Sequence, residues 1–260
     1  MLGSAFADSR GEEKEMAKIT TQKITLSVSD GTSMGAYVAR PEEPGKFPGM
    51  LVLQEAFGVN PHIRSVTERI AREGYVAIAP ELFHRTGPGF EGAYDNFPAV
   101  MPHMQGLTED GQAADMRAAY DWLQSNPQVS PDRVASIGFC MGGRASFLAD
   151  ATLPLQASIS FYGGGIAQAL LPRASALHAP ILLFWGGLDS HITAEHRRAV
   201  EDALTAAKTP FVNVTVSYAD HGFFCDARAS YNPVAAGLAW KLTLEFLDTY
   251  VKGTAATAHA

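Results

Sequence analysis

The sequence predicts an α/β fold, a mostly parallel central sheet flanked by helices. Three observations predict it. Short apolar runs recur along the chain and alternate with stretches of helical spacing. The runs are nearly continuous rather than alternating, the pattern of strands buried on both faces of a parallel sheet. Finally, 260 residues that are 47% hydrophobic can bury a large core, and the 18% charged content argues against a disordered chain.

The elements follow in order. Residues 23–28 and 35–39 are β-rich, and Ser29, Asp30 and Gly31 between them signal a hairpin. Residues 49–54 (GMLVLQ) form a buried strand. Val66 and Ile70 then give helical spacing up to Gly74, a C-terminal cap. Residues 75–79 form a strand stopped by Pro80, and residues 115–123 a helix ending before Asn126 and Pro127. A strand over 134–138 leads into a helix over 142–151. Strands are expected over 157–162, 181–185 and 212–218, with helices over 193–207 and 235–250.

Residues 16–252 read as a single domain without repeats or a low-complexity linker. The polar stretch 1–15 and the small-residue tail 253–260 are expected to be poorly ordered, and Met16 is an alternative start. Lys+Arg 20 against Asp+Glu 27 gives a net charge of −7, which repels phosphate backbones and anionic membranes. No apolar run approaches the roughly 20 residues that span a bilayer. The N-terminus lacks a basic and then apolar leader, and two cysteines are too few for a disulfide scaffold, so a cytoplasmic location is expected.

Active sites of parallel sheets lie beyond the carboxyl ends of the strands. There the strand over 134–138 runs into Gly138-Phe139-Cys140-Met141-Gly142-Gly143. This is the G-x-S-x-G nucleophile elbow with cysteine in place of serine. A strand turning sharply into a helix leaves no room for side chains two places either side, hence glycine. The sulfur then sits at a helix N-terminus, which favours an anion, and the Met141 N–H is free to face an oxyanion. An isolated cysteine is more often inert and buried, and the elbow context reverses that reading.

A thiol nucleophile needs a base, and the expected chain order is nucleophile, acid, histidine. Asp189 follows the strand over 181–185, and His221 follows the strand over 212–218. Asp189 would orient the imidazole and His221 would take the thiol proton. Taken singly, Asp189 reads as a helix cap and His221 as a loop histidine; three residues after three strands in the right order do not. Asp220 is a rival acid, but its adjacency to His221 makes it less able to face the ring. Glu55 follows the strand over 49–54, beside the elbow strand, where a carboxylate needs a partner. His191 and His196 are five apart, wrong for a helical metal pair, and His62, His84, His103, His178 and His259 are scattered, so no metal site or cofactor is expected.

With these residues in place, the chain resembles the dienelactone hydrolase (carboxymethylenebutenolidase) family, cysteine enzymes of the α/β-hydrolase fold that open an unsaturated enol-lactone ring. The resemblance rests on Gln54-Glu55-Ala56-Phe57-Gly58-Val59-Asn60, Leu82-Phe83-His84-Arg85, the elbow, Phe161-Tyr162-Gly163, Gly187-Leu188-Asp189 and His221-Gly222-Phe223. It runs from about Lys23 to about Leu247. It implies that Cys140, Asp189 and His221 are a triad, and that Glu55 holds the resting thiol neutral and deprotonates it when substrate binds. It further implies that Ala56 and Met141 offer oxyanion-hole N–H groups, that Arg85 grips a substrate carboxylate, and that Phe57 and Tyr162 line the substrate pocket. The founding type of the family carries a second arginine four residues after the histidine. Here that position is Cys225, and Arg228 lies three residues further on.

The expected function is cysteine-dependent opening of an enol-lactone, or cleavage of an activated ester, through a thioester. The alternatives are a thiol acyl-transfer or redox protein on the same fold, and a catalytically silent binding protein. The expected partner is a small lactone or ester, with no nucleic acid and no membrane, in a monomer or homodimer. Cys225 reads as a pocket wall residue or, more sharply, as the partner of Cys140 in a reversible disulfide.

Overall fold

The computed structural model describes residues 17–253. The expectations for residues 1–15, Met16 and the tail beyond Gly253 lie outside the described residues.

The strands are β1 (Ile19–Ser27), β2 (Ser33–Pro41), β3 (Phe47–Leu53), β4 (Val76–Pro80), β5 (Val129–Phe139), β6 (Ala157–Phe161), β7 (Ile181–Gly186) and β8 (Phe211–Val216). They form one eight-stranded sheet in the order β1-β2-β4-β3-β5-β6-β7-β8. The β1–β2 hairpin is antiparallel, β2 meets β4 antiparallel, and every other pairing is parallel. The apolar runs mark the interior: β4, β6 and β7 are buried along their whole length. Outermost, β1 and β8 are mostly exposed or half-buried, each with a single buried residue, Leu26 and Val216.

Helices α1 (Pro61–Arg72), α2 (Phe97–Gln105), α3 (Glu109–Ser125), α4 (Met141–Thr152), α5 (Ala194–Ala207) and α6 (Pro233–Leu247) surround the sheet. Four of these starts are capped by side chains: Asn60 accepts from the Ile63 N–H, Thr108 from Gly111, Thr193 from His196 and Asn232 from Ala235. Helix α1 is held to α6 by the Arg69 guanidinium, 4.2 Å from the Trp240 ring.

The predicted strands and helices are all present, with shifted bounds. Helix α3 starts six residues earlier than the sequence suggests, at its Thr108 cap. Helix α2 is not predicted by the sequence. It contains Pro98 and Pro102 and buries only Val100, so it lacks the periodic apolar face that announces a helix. Among the described residues no helix is long and apolar enough to cross a membrane.

Candidate active site

The carboxyl ends of five neighbouring strands converge on one place. Glu55 follows β3, Cys140 follows β5, Tyr162 follows β6, Asp189 follows β7 and His221 follows β8. Beneath them lies an aromatic floor, with Phe139 stacked on Phe161 at 4.9 Å and on Phe224 at 5.2 Å.

Cys140 has φ 55° and ψ −116°, the strained conformation of an elbow. The flanking glycines are required. A Cβ on Gly138 would run into the Gly142 carbonyl, and one on Gly142 into the Leu53 carbonyl. The Cys140 N–H is tied to the Phe161 carbonyl at 3.0 Å, which fixes the turn against β6. Met141 is the first residue of α4, so its N–H has no carbonyl a turn back to donate to.

His221 Nδ1 lies 2.7 Å from Asp189 Oδ2. Asp189 Oδ1 accepts from the His191 N–H at 2.8 Å and the Ile192 N–H at 3.1 Å, so the carboxylate is held on both oxygens. Burial pushes its carboxyl up, but the His221 and backbone hydrogen bonds outweigh this and hold it below its ordinary value. Burial also opposes charge on His221, yet the hydrogen bonds to Asp189 and Cys140 raise it to about 10. The rival Asp220 is engaged elsewhere, accepting from the His221 N–H at 2.6 Å. The cap of α5 is Thr193, so Asp189 is not spent as a helix cap.

Glu55 is wholly buried. Gln54 anchors its loop, accepting from the Leu82 N–H at 3.0 Å and donating to the Glu55 carbonyl at 3.4 Å. Glu55 Oε1 accepts from Arg228 Nη1 at 3.3 Å, whereas Oε2 is buried without a hydrogen-bond partner. The Arg228 guanidinium lies 5.7 Å from the Phe57 ring and 5.8 Å from the Tyr94 ring. Gly222, at φ 78°, makes room for it: a Cβ there would stand 2.6 Å from Arg228 Cζ. Phe57 packs beside Tyr94 at 4.6 Å between ring centres. Tyr162 is fully buried at φ 39°, its ring 5.1 Å from that of His221. Burial, with Glu55 nearby, pushes the Tyr162 hydroxyl far above its ordinary value.

Arg85 needs correction. Its Nη1 and Nη2 both donate to Asp115 at 2.8 Å, and its Nε donates to Asp30 at 2.8 Å. A guanidinium committed to two protein carboxylates has little left for a substrate. Its partners bind the hairpin turn and α3 to the segment after β4, a structural part. Tyr94 has no motif around it in the sequence, and Arg228 lies three residues beyond the position that the resemblance gives to a second arginine.

The strand order, the strained strand-to-helix turn and the acid–histidine pair beyond the later strands define an α/β-hydrolase. The dienelactone hydrolase family profile matches residues 34–251. A Synechocystis sp. protein named "Putative carboxymethylenebutenolidase" is 36% identical over 245 residues, covering 90% of this chain and 98% of that one. The carboxymethylenebutenolidase of Pseudomonas sp. strain P51 is 32% identical, covering 87% of this chain and 94% of its own. A crystal structure described as "Putative Dienelactone Hydrolase" from Klebsiella pneumoniae superposes with a TM-score of 0.82 at 31% identity, covering 90% of this chain and all of that one. The chain belongs to the dienelactone hydrolase family and is a hydrolase of the lactone and ester class.

Proposed function

We propose that this enzyme opens enol-lactones or cleaves activated esters through a thioester on Cys140. The observation that carries the reading is the 2.7 Å bond from His221 to Asp189, with Cys140 at the elbow after β5 raising the charge preference of the same imidazole.

His221, favoured in its charged form by Asp189, takes the proton that the sulfur gives up. Thiolate attacks the acyl carbon. The oxyanion rests on the N–H groups of Ala56 and Met141, each such donor being typically worth about 2.7–4 kcal/mol in the transition state. The acyl C–O bond breaks, and the leaving enolate or phenolate takes the proton from His221. Water then attacks the thioester, giving a proton to His221, and the C–S bond breaks to return the thiol and the acid. A stabilised leaving group matters, because thiolate leaves more readily than an alkoxide from the tetrahedral intermediate.

For a substrate that carries a carboxylate, Arg228 takes the place that the resemblance gives to Arg85. It is cationic and cushioned by two aromatic rings, and it is held by a single bond to Glu55. A bound carboxylate would draw Arg228 away and free Glu55, which for such a substrate takes the thiol proton in place of His221 and gives it to the leaving enolate. Phe57 and Tyr162 shape the pocket around the ring of the substrate.

The test is the hydrolysis of a dienelactone, beside an aryl acetate and an alkyl acetate, by wild type and Cys140→Ala. The reading expects turnover of the first two, poor turnover of the alkyl ester, and loss of all activity in the variant. Comparable kcat/KM on aryl and alkyl esters would count against the thioester route. Aryl acetate turnover without dienelactone turnover would remove the carboxylate site at Arg228.

A further inference from the structure

The histidines are scattered in the sequence, yet the fold brings one of them to the back of the site. One donor atom each of Glu55, His62 and Cys225 lies within 4.8 Å of the others, and all three residues are buried. This is the one such group among the described residues. Two of its atoms have no hydrogen-bond partner: Glu55 Oε2 and His62 Nε2. Burying such atoms unpaired is costly, and a cation would satisfy both.

We propose that Glu55, His62 and Cys225 form a binding site for a zinc-class divalent cation, and that occupation of this site switches the hydrolase off. Carboxylate, imidazole and thiolate are the ligand set that zinc takes, usually with one open position for water. Ligands at zinc distances of 2.0–2.3 Å sit roughly 3.5 Å apart. The three side chains must therefore draw in by about 1 Å, within the reach of small rotamer adjustments.

The surroundings suit the ligands. His62 Nδ1 lies 3.3 Å from the Asp226 carboxylate, which leaves the Nε2 lone pair for the metal. This is the carboxylate–histidine–metal relay that fixes a ligating ring. Phe139 and Phe224 hold the ring edgewise at 6.1 and 6.3 Å. Cys225 Sγ lies 3.2 Å from the Tyr94 hydroxyl, whose oxygen also accepts from Asn60 at 2.9 Å. On binding, the thiol proton leaves to solvent and the Tyr94 O–H turns to donate to the thiolate. The carboxylate and thiolate then neutralise the divalent charge, so the filled site is neutral. Arg228 is the opposing charge, and it must leave Glu55 for solvent as the ion enters. The inhibition rests on the part given to Glu55 and Arg228 above, whereas the site itself does not.

The test uses the full chain with Co²⁺ as a spectroscopic probe and Zn²⁺ as competitor. A near-ultraviolet thiolate-to-cobalt absorption is expected, abolished by excess Zn²⁺. It should persist in Cys140→Ala, vanish in Cys225→Ser, and require at least tenfold more Co²⁺ in His62→Gln, with each variant checked for folding by circular dichroism. Should Cys225→Ser fail to fold, Cys225→Ala and His62→Gln carry the same comparison. Absence of the band in wild type, or a band lost in Cys140→Ala but kept in the Cys225 variants, would overturn the site. Zn²⁺ should inhibit aryl acetate hydrolysis by wild type at concentrations at least tenfold below those needed for His62→Gln. Binding at the site with no inhibition would overturn the switch and, with it, the part given to Glu55.

Discussion

Removing Arg228 tests how the buried carboxylate is held. In Arg228→Gln, Glu55 stays in a fully buried place and loses the bond at 3.3 Å, while Oε2 is already unpartnered. Breaking a fully buried ion pair typically costs about 3–5 kcal/mol. The Arg228 side chain is 21% exposed and the contact is single, so the loss should be smaller, about 2 kcal/mol. Glu55→Gln removes the buried charge itself and lets Arg228 turn to solvent, so its cost should be below about 1 kcal/mol. In the double variant no charge is left stranded, and a coupling energy of about 1–1.5 kcal/mol should appear. Urea unfolding of the four proteins at neutral pH, with equal m-values, measures it. Additive effects within about 0.5 kcal/mol would refute the pairing as an energetic element.

Two further predictions concern titration. Asp189→Asn removes one of the bonds that raise His221 to about 10. The ring should titrate lower by NMR, and kcat should fall by on the order of 10³-fold or more. A histidine raised on folding stabilises most below its unfolded value and loses this as pH rises through about 10, so the stability deficit of the variant should be largest near pH 6 and shrink toward pH 10. Asp150 is wholly buried in α4, and burial raises its carboxyl to about 7 despite bonds from Ser158 and the N–H groups of His178 and Ala179. A carboxyl raised on folding stabilises most at low pH and loses this as pH rises through about 7. Asp150→Asn should therefore gain about 2–3 kcal/mol relative to wild type between pH 5 and pH 8 in urea unfolding; parallel profiles would remove the argument.

The inner strands were legible because they are apolar runs too continuous for any half-exposed role, and the elbow because its glycines answer to backbone clashes that any strand-to-helix turn of this sharpness creates. Asp189 and His221 were legible from chain order, and the adjacency of Asp220 to His221 already spoke against that rival. In the fold Asp189 Oδ2 faces the ring nitrogen of His221, whereas Asp220 accepts from the N–H of His221 itself. Arg85 shows the limit of reading a role from a motif. Its partners Asp30 and Asp115 are 55 and 30 residues away, and nothing local shows that they close on the guanidinium. Arg228 is the converse case. It reaches Glu55 across 173 residues because Gly222 leaves its side chain room. The cluster of Glu55, His62 and Cys225 comes from three separate loops and helix starts, so no spacing could announce it.

The most direct test of the central claim is to trap the acyl-enzyme. Wild type mixed with an aryl acetate and quenched in acid within the first turnovers should yield a peptide containing Cys140 that carries one acetyl group, labile to hydroxylamine as thioesters are. An acetyl group on another residue, or hydrolysis at the wild-type rate by Cys140→Ala, would contradict the account.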